Sequence, residues 1–92
     1  MNIYLVIQES LSGEESSVEV TPCIDCETAL AIKAKKVKKA LSEGKFKGIN
    51  PKDYNEEEYA ITDNPDRFLI ETLYDDFSED IYIEEKKLES ID

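Results

Sequence analysis

Two cysteines, Cys23 and Cys26, stand in C-x-x-C spacing where the sequence takes on a helical pattern. This spacing at a helix start can stabilise a thiolate and create a redox pair, and it also supplies half of a tetrahedral zinc site. Asp25 and Glu27 flank the second cysteine, and acidic neighbours disfavour a thiolate. Zinc would need carboxylates or a second subunit, since the chain has no histidine and no further cysteine. We interpret both cysteines as small core residues. The alternative is a thiol–disulfide oxidoreductase that uses Cys23 and Cys26.

Other familiar catalytic patterns are missing from the sequence. The absence of histidine excludes Ser-His-Asp triads and Cys-His nucleophile pairs. No G-x-x-x-x-G-K-[ST] loop is present, and the three glycines do not form a dinucleotide-binding fingerprint. Because the chain has 22 acidic residues, any single pair of carboxylates is a weak sign of acid–base catalysis. We therefore predict a protein that is not an enzyme and that has no cofactor and no metal site.

The element that would position the cysteines is a helix predicted over residues 25–43. Asp25 is a suitable N-cap, and Gly44 stands where a helix commonly ends. An apolar stripe with helical spacing predicts the buried face, which comprises Cys26, Leu30, Ala34, Val37 and Leu41. The remaining helix surface is predicted to carry Lys33, Lys35, Lys36, Lys38 and Lys39.

The rest of the chain shows the alternation of β-strands. Residues 2–9 and 17–21 form a predicted hairpin around Gly13, and residues 57–62, 67–74 and 80–86 form three further strands. A helix over residues 64–77 is the alternative, because Asn64-Pro65 is a fair helix start. The order β-β-α-β-β-β predicts one α+β domain over residues 1–92. Its antiparallel sheet would have four to five strands and one helix packed on one face.

Charge is distributed unevenly along the chain. Residues 1–52 carry seven acids and eight bases, a net charge of +1, whereas residues 53–92 carry fifteen acids and three bases, a net charge of −12. A strongly negative surface repels nucleic acid and anionic membranes, so we expect neither as a direct partner. It suits a basic protein surface, although the acids could simply keep a small domain soluble. The clustered acids predicted to bind a partner are Glu56, Glu57, Glu58, Asp75, Asp76, Glu79, Asp80, Glu84 and Glu85.

The start of the chain and its cysteine content suggest a location. The segment "MNIYLVIQES" has no basic region before its apolar run, and that run is too short to span a membrane. Two cysteines are too few for a secreted disulfide scaffold. We therefore expect a cytoplasmic protein, and the sequence leaves open whether it is a monomer or a homodimer.

Two segments resemble a known family. "LVIQES" (5–10) and "FLIETLYDDFSED" (68–80) are similar to stretches of the phage uracil-DNA glycosylase inhibitor family. Those inhibitors are small acidic α/β proteins that mimic DNA and block a host repair enzyme. Their Gln-Glu-Ser segment lies at the edge that meets the enzyme, so the resemblance implies partner contacts by Gln8, Glu9 and Ser10. Size, acidity and element order are also similar to those of phage anti-defence proteins, including anti-CRISPR proteins, a class with many folds.

Together these observations predict a non-enzymatic inhibitor, encoded by a phage or mobile element and acting in the host cytoplasm. It would bind a basic, nucleic-acid-binding surface of a host protein through an acidic sheet. The alternatives are the dithiol redox protein and a small structural domain that associates with itself, either through an exposed sheet edge or through the lysine-rich helix.

Overall fold

The computed structural model describes residues 2–87 and shows an α+β fold with one helix on an antiparallel sheet. Its elements are β1 (Asn2–Ser12), β2 (Glu15–Cys23), α1 (Cys26–Ser42), a 3₁₀ turn (Gly44–Phe46), β3 (Tyr59–Asn64), β4 (Arg67–Thr72) and β5 (Phe77–Lys87). The predicted fold class is therefore confirmed, with five strands. Residues 64–77 contribute strands and a turn, so the helical alternative for this segment is wrong.

The strands lie in the order β2-β1-β5-β4-β3, and every neighbouring pair is antiparallel. β1 and β5 pair along their whole lengths, from Asn2 opposite Lys87 to Ser12 opposite Phe77. Gly13 turns the chain from β1 into β2 with a φ of 64°, a conformation that glycine adopts without a steric penalty. β1, β5 and β4 are thus paired on both sides, and β2 and β3 are the edges.

One face of the sheet is covered by α1 and holds the core. Val6, Phe68, Ile70 and Ile81 are fully buried there. Because successive strand residues point to opposite faces, their neighbours lie on the other face, which we call the open face. Ile3, Leu5, Ile7, Val18 and Val20 lie on the open face. The open face is partly solvated, since Val18 and Val20 are at least half exposed.

Local signals explain where α1 begins and ends. The Asp25 side chain accepts a hydrogen bond from the Thr28 backbone N–H at 2.7 Å, which satisfies a free donor of the first turn. This bond stabilises the carboxylate and lowers the pKa of Asp25. After Ser42, Gly44 adopts a φ of 71° and leads the chain away from the helix axis.

Among the residues that the structure describes, no helix combines the length and apolar character needed to cross a membrane.

The buried face of α1 differs from the predicted stripe. Ala29 is fully buried and Lys33 is only 7% exposed, whereas Cys26, Leu30 and Ala34 are exposed. The aliphatic stem of Lys33 packs inside, and its ammonium donates to the backbone oxygen of Asn64 at 3.2 Å. The prediction was wrong in the first half of the helix because it treated every lysine as a solvated residue. In the second half, Val37 and Leu41 do pack against the core, as the stripe predicts.

Every strand has at least one boundary that differs from the sequence prediction. β1 continues to Ser12 instead of ending at residue 9, β2 spans Glu15–Cys23 instead of 17–21, and β3 spans Tyr59–Asn64 instead of 57–62. β4 ends at Thr72, two residues before the predicted end, because a turn closes there. The Thr72 hydroxyl accepts a hydrogen bond from the Phe77 backbone N–H at 3.3 Å and also contacts the carbonyl of Asp75. Tyr74 is consequently exposed in that turn. β5 begins at Phe77, three residues before the predicted start, because β1 offers backbone pairing partners as far as Ser12.

Candidate functional site

Three chain connections meet at one end of the sheet and carry exposed carboxylates. The β1–β2 turn touches the β4–β5 turn through a hydrogen bond from the Gly13 N–H to the Asp76 carbonyl, 2.7 Å long. The segment before β3 joins the same end through a bond from the Leu73 N–H to the Glu58 carbonyl, 3.0 Å long. We call this surface the acidic end. It is formed by Glu14, Glu15, Glu56, Glu57, Glu58, Asp75 and Asp76, all of which are exposed.

Local hydrogen bonds hold two of these connections in place. The Asn55 side chain accepts from the Glu57 N–H at 3.0 Å, and the Asn55 carbonyl accepts from the N–H groups of Glu58 and Tyr59. Asparagine commonly forms such turns because its short side chain mimics the backbone. Lys45 lies 3.6 Å from Asp75 and bridges the acidic end to the chain that follows α1. The three adjoining glutamates are therefore presented by an ordered turn beside the edge strand β3.

Five of the predicted partner-binding residues belong to this end. These residues are Glu56, Glu57, Glu58, Asp75 and Asp76. Sequence reasoning missed Glu14 and Glu15, which reach the same end by way of the β1–β2 turn. Their acidic pair was visible in the sequence, but only the strand order shows that it lies beside Asp76.

The other predicted acids are divided between the two faces of the sheet, because strand residues alternate. Glu79 and Glu85 lie on the helix-covered face, whereas Asp80 and Glu84 lie on the open face. The structure therefore does not gather the acids of β5 into a single acidic sheet face.

Several of these acids have partners within the chain. Asp80 is only 9% exposed, and Arg67 binds it in a bidentate fashion, with Nε–Oδ1 at 3.0 Å and Nη2–Oδ2 at 2.7 Å. The hydrogen bond and the charge of Asp80 together raise the pKa of Arg67. Glu84 lies 3.2 Å from the ammonium of Lys86, and Glu85 accepts from the Asn2 amide at 2.6 Å.

The Gln8-Glu9-Ser10 segment lies in β1, which is paired on both sides, so its backbone cannot join a partner's strand. Gln8 and Ser10 point to the helix-covered face, and both donate hydrogen bonds to Glu79. Glu9 is exposed on the open face and accepts from the Tyr82 hydroxyl at 3.3 Å. Burial, followed by the charge of Glu9, raises the pKa of Tyr82. Of the three residues, Glu9 is the one whose side chain is exposed for a partner.

The two cysteines occupy different environments. Cys23 is buried at the end of β2, where its thiol contacts the Thr21 carbonyl at 3.8 Å, so its interpretation as a core residue is confirmed. Cys26 is exposed as the first residue of α1, so the same interpretation is wrong for this residue. Both thiols are free. Within residues 2–87, no three side chains of the metal-binding types come together. Redox use of the pair stays a prediction.

Comparison of the chain with protein-family models, with curated proteins and with solved structures gave no match. The geometry of the acidic end offers a dense set of exposed carboxylates on ordered turns, which is suited to charge-based recognition of a basic surface.

Proposed function

We propose that this protein is a non-enzymatic inhibitor that binds the nucleic-acid-binding surface of a host protein through its acidic end. It would act as a phage-encoded anti-defence protein in the host cytoplasm and occupy the surface in place of nucleic acid. The observation that carries the proposal is the meeting of three carboxylate-bearing connections at one end of the sheet.

The density of charge favours mimicry of nucleic acid. Duplex DNA carries one negative charge per about 1.7 Å of its axis, and proteins that hold it line their surfaces with lysine and arginine. The acidic end presents negative charge on three adjoining connections, two of which directly contact the β4–β5 turn. Such a surface would accelerate association with a basic partner and make the binding sensitive to salt.

The resemblance to the uracil-DNA glycosylase inhibitors supports the same class of function. It concerns β1 and the β4–β5 region, and the β4–β5 turn is part of the acidic end. Glu9 could add a contact from the open face. Asp80 is omitted from the proposed contact surface, because its carboxylate is nearly buried and bound to Arg67.

A pair of matched variants tests the proposal. The acidic-end variant carries Glu56→Gln, Glu57→Gln, Glu58→Gln and Asp76→Asn, which leaves the Lys45–Asp75 pair in place. The distal variant removes the same amount of charge at the opposite end of the molecule, through Glu27→Gln, Asp63→Asn, Asp66→Asn and Glu84→Gln.

Each protein is immobilised and exposed to bacterial lysate, and retained proteins are challenged with duplex DNA. We expect the wild type and the distal variant to retain the same nucleic-acid-binding protein, which salt and duplex DNA release, and the acidic-end variant to lose it. Equal retention by the two variants, or a captured protein that DNA cannot displace, would contradict the proposal.

One observation favours a second candidate function, self-association through β2. This edge strand has nine residues, and on its open face Val18 is 64% exposed and Val20 is 50% exposed. An exposed apolar edge can pair with the same strand of a second copy. Sedimentation velocity over a range of concentrations should then show dimers for the wild type and monomers for Val20→Lys. A wild type that remains monomeric at every concentration would reject this candidate.

A further inference from the structure

A cleft opens on the helix-covered face of the sheet, beyond the point where α1 stops covering it. Its volume is about 690 Å³, which is within the usual range for ligand sites. The floor comes from the ends of β1, β2 and β5, and the wall comes from the last turn of α1 and the 3₁₀ turn. Small residues on the floor, Ser10, Ser12 and Ser17, leave this space open.

Glu79 lies in this cleft, and its negative charge is met by neutral groups. The Gln8 amide donates to Glu79 Oε2 at 3.0 Å, and the Ser10 hydroxyl donates to the same oxygen at 2.7 Å. In residues 2–87, Glu79 takes part in none of the ion pairs. The two donors fix the orientation of the carboxylate, yet both of them bind one oxygen. The site therefore holds an oriented anion without a counter-charge.

Two lysines beside the cleft, Lys45 and Lys36, are engaged with other carboxylates, whereas Lys39, which lines the cleft, takes part in none of the ion pairs within residues 2–87. Lys45 lies 3.6 Å from Asp75, and its ammonium lies 4.6 Å from the centre of the Phe77 ring. Lys36 binds Glu19 at 2.5 Å. This hydrogen bond lowers the pKa of Glu19, and the charges of Lys36 and Lys39 act in the same direction. Lys45 and Lys36 are thus directed toward Asp75 and Glu19. Glu79 is the carboxylate that neutral donors orient, in a cleft whose lining also carries Glu19, Glu43 and Lys39.

The walls of the cleft suit a ligand that has an apolar stem behind its charge. Phe46 and Phe77 line one side, and Ala40 lines another part of the wall. Arginine combines an apolar stem with a planar guanidinium, which binds carboxylates through paired, charge-assisted hydrogen bonds and packs well on aromatic rings. Among cationic side chains, it matches both the oriented carboxylate and the aromatic wall.

We propose that this cleft binds the side chain of an arginine from a basic partner protein, with Glu79 as its anionic contact. The proposal rests on the proposed function for the origin of that arginine, because a nucleic-acid-binding surface is rich in this residue. Gln8 and Ser10 become positioning residues that orient the Glu79 carboxylate. The cleft would then add a side-chain pocket to the charge attraction of the acidic end.

The test uses the whole chain and a simple probe, N-acetyl-argininamide, followed by the amide NMR signals of the protein. We expect the probe to shift the signals of the Gln8 side chain, Ser10 and Phe77. N-acetyl-citrullinamide, which has the same shape without the charge, should not shift them. Glu79→Gln keeps an acceptor for both donors, and it should raise the dissociation constant about tenfold, the effect expected of a charge-assisted hydrogen bond. Glu71→Gln, on the open face of β4, should leave binding unchanged.

Three results would overturn the assignment. They are equal shifts with the citrulline probe, unchanged affinity in Glu79→Gln, and the same signals responding to inorganic phosphate in place of the arginine probe. The last result would show that the rim lysines dominate the cleft. Because the probe needs no host protein, absence of probe binding would reject the arginine cleft alone, whereas absence of a captured protein in the lysate experiment would count against the proposed function. The acidic-end variant should still bind the probe, since its four substitutions leave every lining residue of the cleft intact.

Discussion

The nearly buried carboxylate of Asp80 depends on the guanidinium of Arg67. Replacing Arg67 with alanine would leave this charge unpaired where solvent reaches it poorly, and an unpaired buried charge is strongly unfavourable. We predict that Arg67→Ala lowers the melting temperature by roughly 5–10 °C, as measured by circular dichroism. Lys86→Ala should lower it by about 2 °C or less, because its partner Glu84 is exposed.

The pairing itself can be separated from the loss of the arginine stem by a double variant. Arg67→Ala together with Asp80→Ala should regain part of the stability, because no orphan carboxylate remains. A double variant less stable than Arg67→Ala alone would show that the ion pair is not the reason for the loss.

Asp25 makes the start of α1 sensitive to acid. The Thr28 N–H stabilises the carboxylate, so the pKa of Asp25 in the folded chain is lower than its value in the unfolded chain. A group of this kind contributes stability that is fully present above the unfolded pKa, about 4, and is lost as the pH falls through the folded pKa. We predict that Asp25→Ala melts below the wild type at neutral pH, and that the difference shrinks as the pH falls below about 4.

Asparagine supplies the control, because it caps helices well without a titrating charge. Asp25→Asn should therefore keep most of the cap at neutral pH, and its stability should depend less on acid than that of the wild type. Melting curves at several pH values test both variants. A constant gap between wild type and Asp25→Ala across the acid range would contradict the assignment of the cap.

At the scale of elements, the sequence predicts the kind of each element better than its orientation. The ends of α1 follow from Asp25 and Gly44, which act locally. The rotation of the helix about its axis does not follow from neighbouring residues, because it involves Lys33 reaching the carbonyl of Asn64 across the fold. Cys26 is exposed for the same reason, since it belongs to the first half of the predicted stripe, which lies away from the sheet.

The rotation of α1 gives a sharp prediction. Ala29 is fully buried against the sheet, whereas Ala34, on the same helix, is exposed. Ala29→Glu would force a carboxylate into a packed core, so we expect a loss of about 3–5 kcal/mol in the free energy of unfolding. Ala34→Glu should change it by about 0.5 kcal/mol or less. Urea denaturation of the two variants provides the measurement, and similar losses for both would contradict the observed helix face.

At the scale of the whole molecule, the acidic end is a product of topology. Glu14, Glu58 and Asp76 are far apart in the sequence, and they come together because β1 and β5 pair antiparallel while β3 joins through β4. The clusters were visible in the sequence, but strand order depends on contacts between distant segments. The alternation of β5 also explains why only part of the acid-rich segment contributes, since Asp80 is turned to the open face and Glu79 to the helix-covered face.

Gathering like charges at one end should weaken the fold when salt is scarce. The Debye length falls from about 30 Å at 0.01 M salt to about 10 Å at 0.1 M, so added salt screens repulsion between neighbouring connections. We predict that the wild type gains a few degrees in melting temperature over this range of sodium chloride. The acidic-end variant should be more stable than the wild type at low salt, and its melting temperature should rise less with added salt.

The distal variant has the same net charge and should keep most of the wild-type response. If both variants responded equally, net charge alone would explain the effect, and the acidic end would not be a distinct electrostatic unit. A difference between them would mean that repulsion is concentrated at this end, where a basic partner would relieve it on binding.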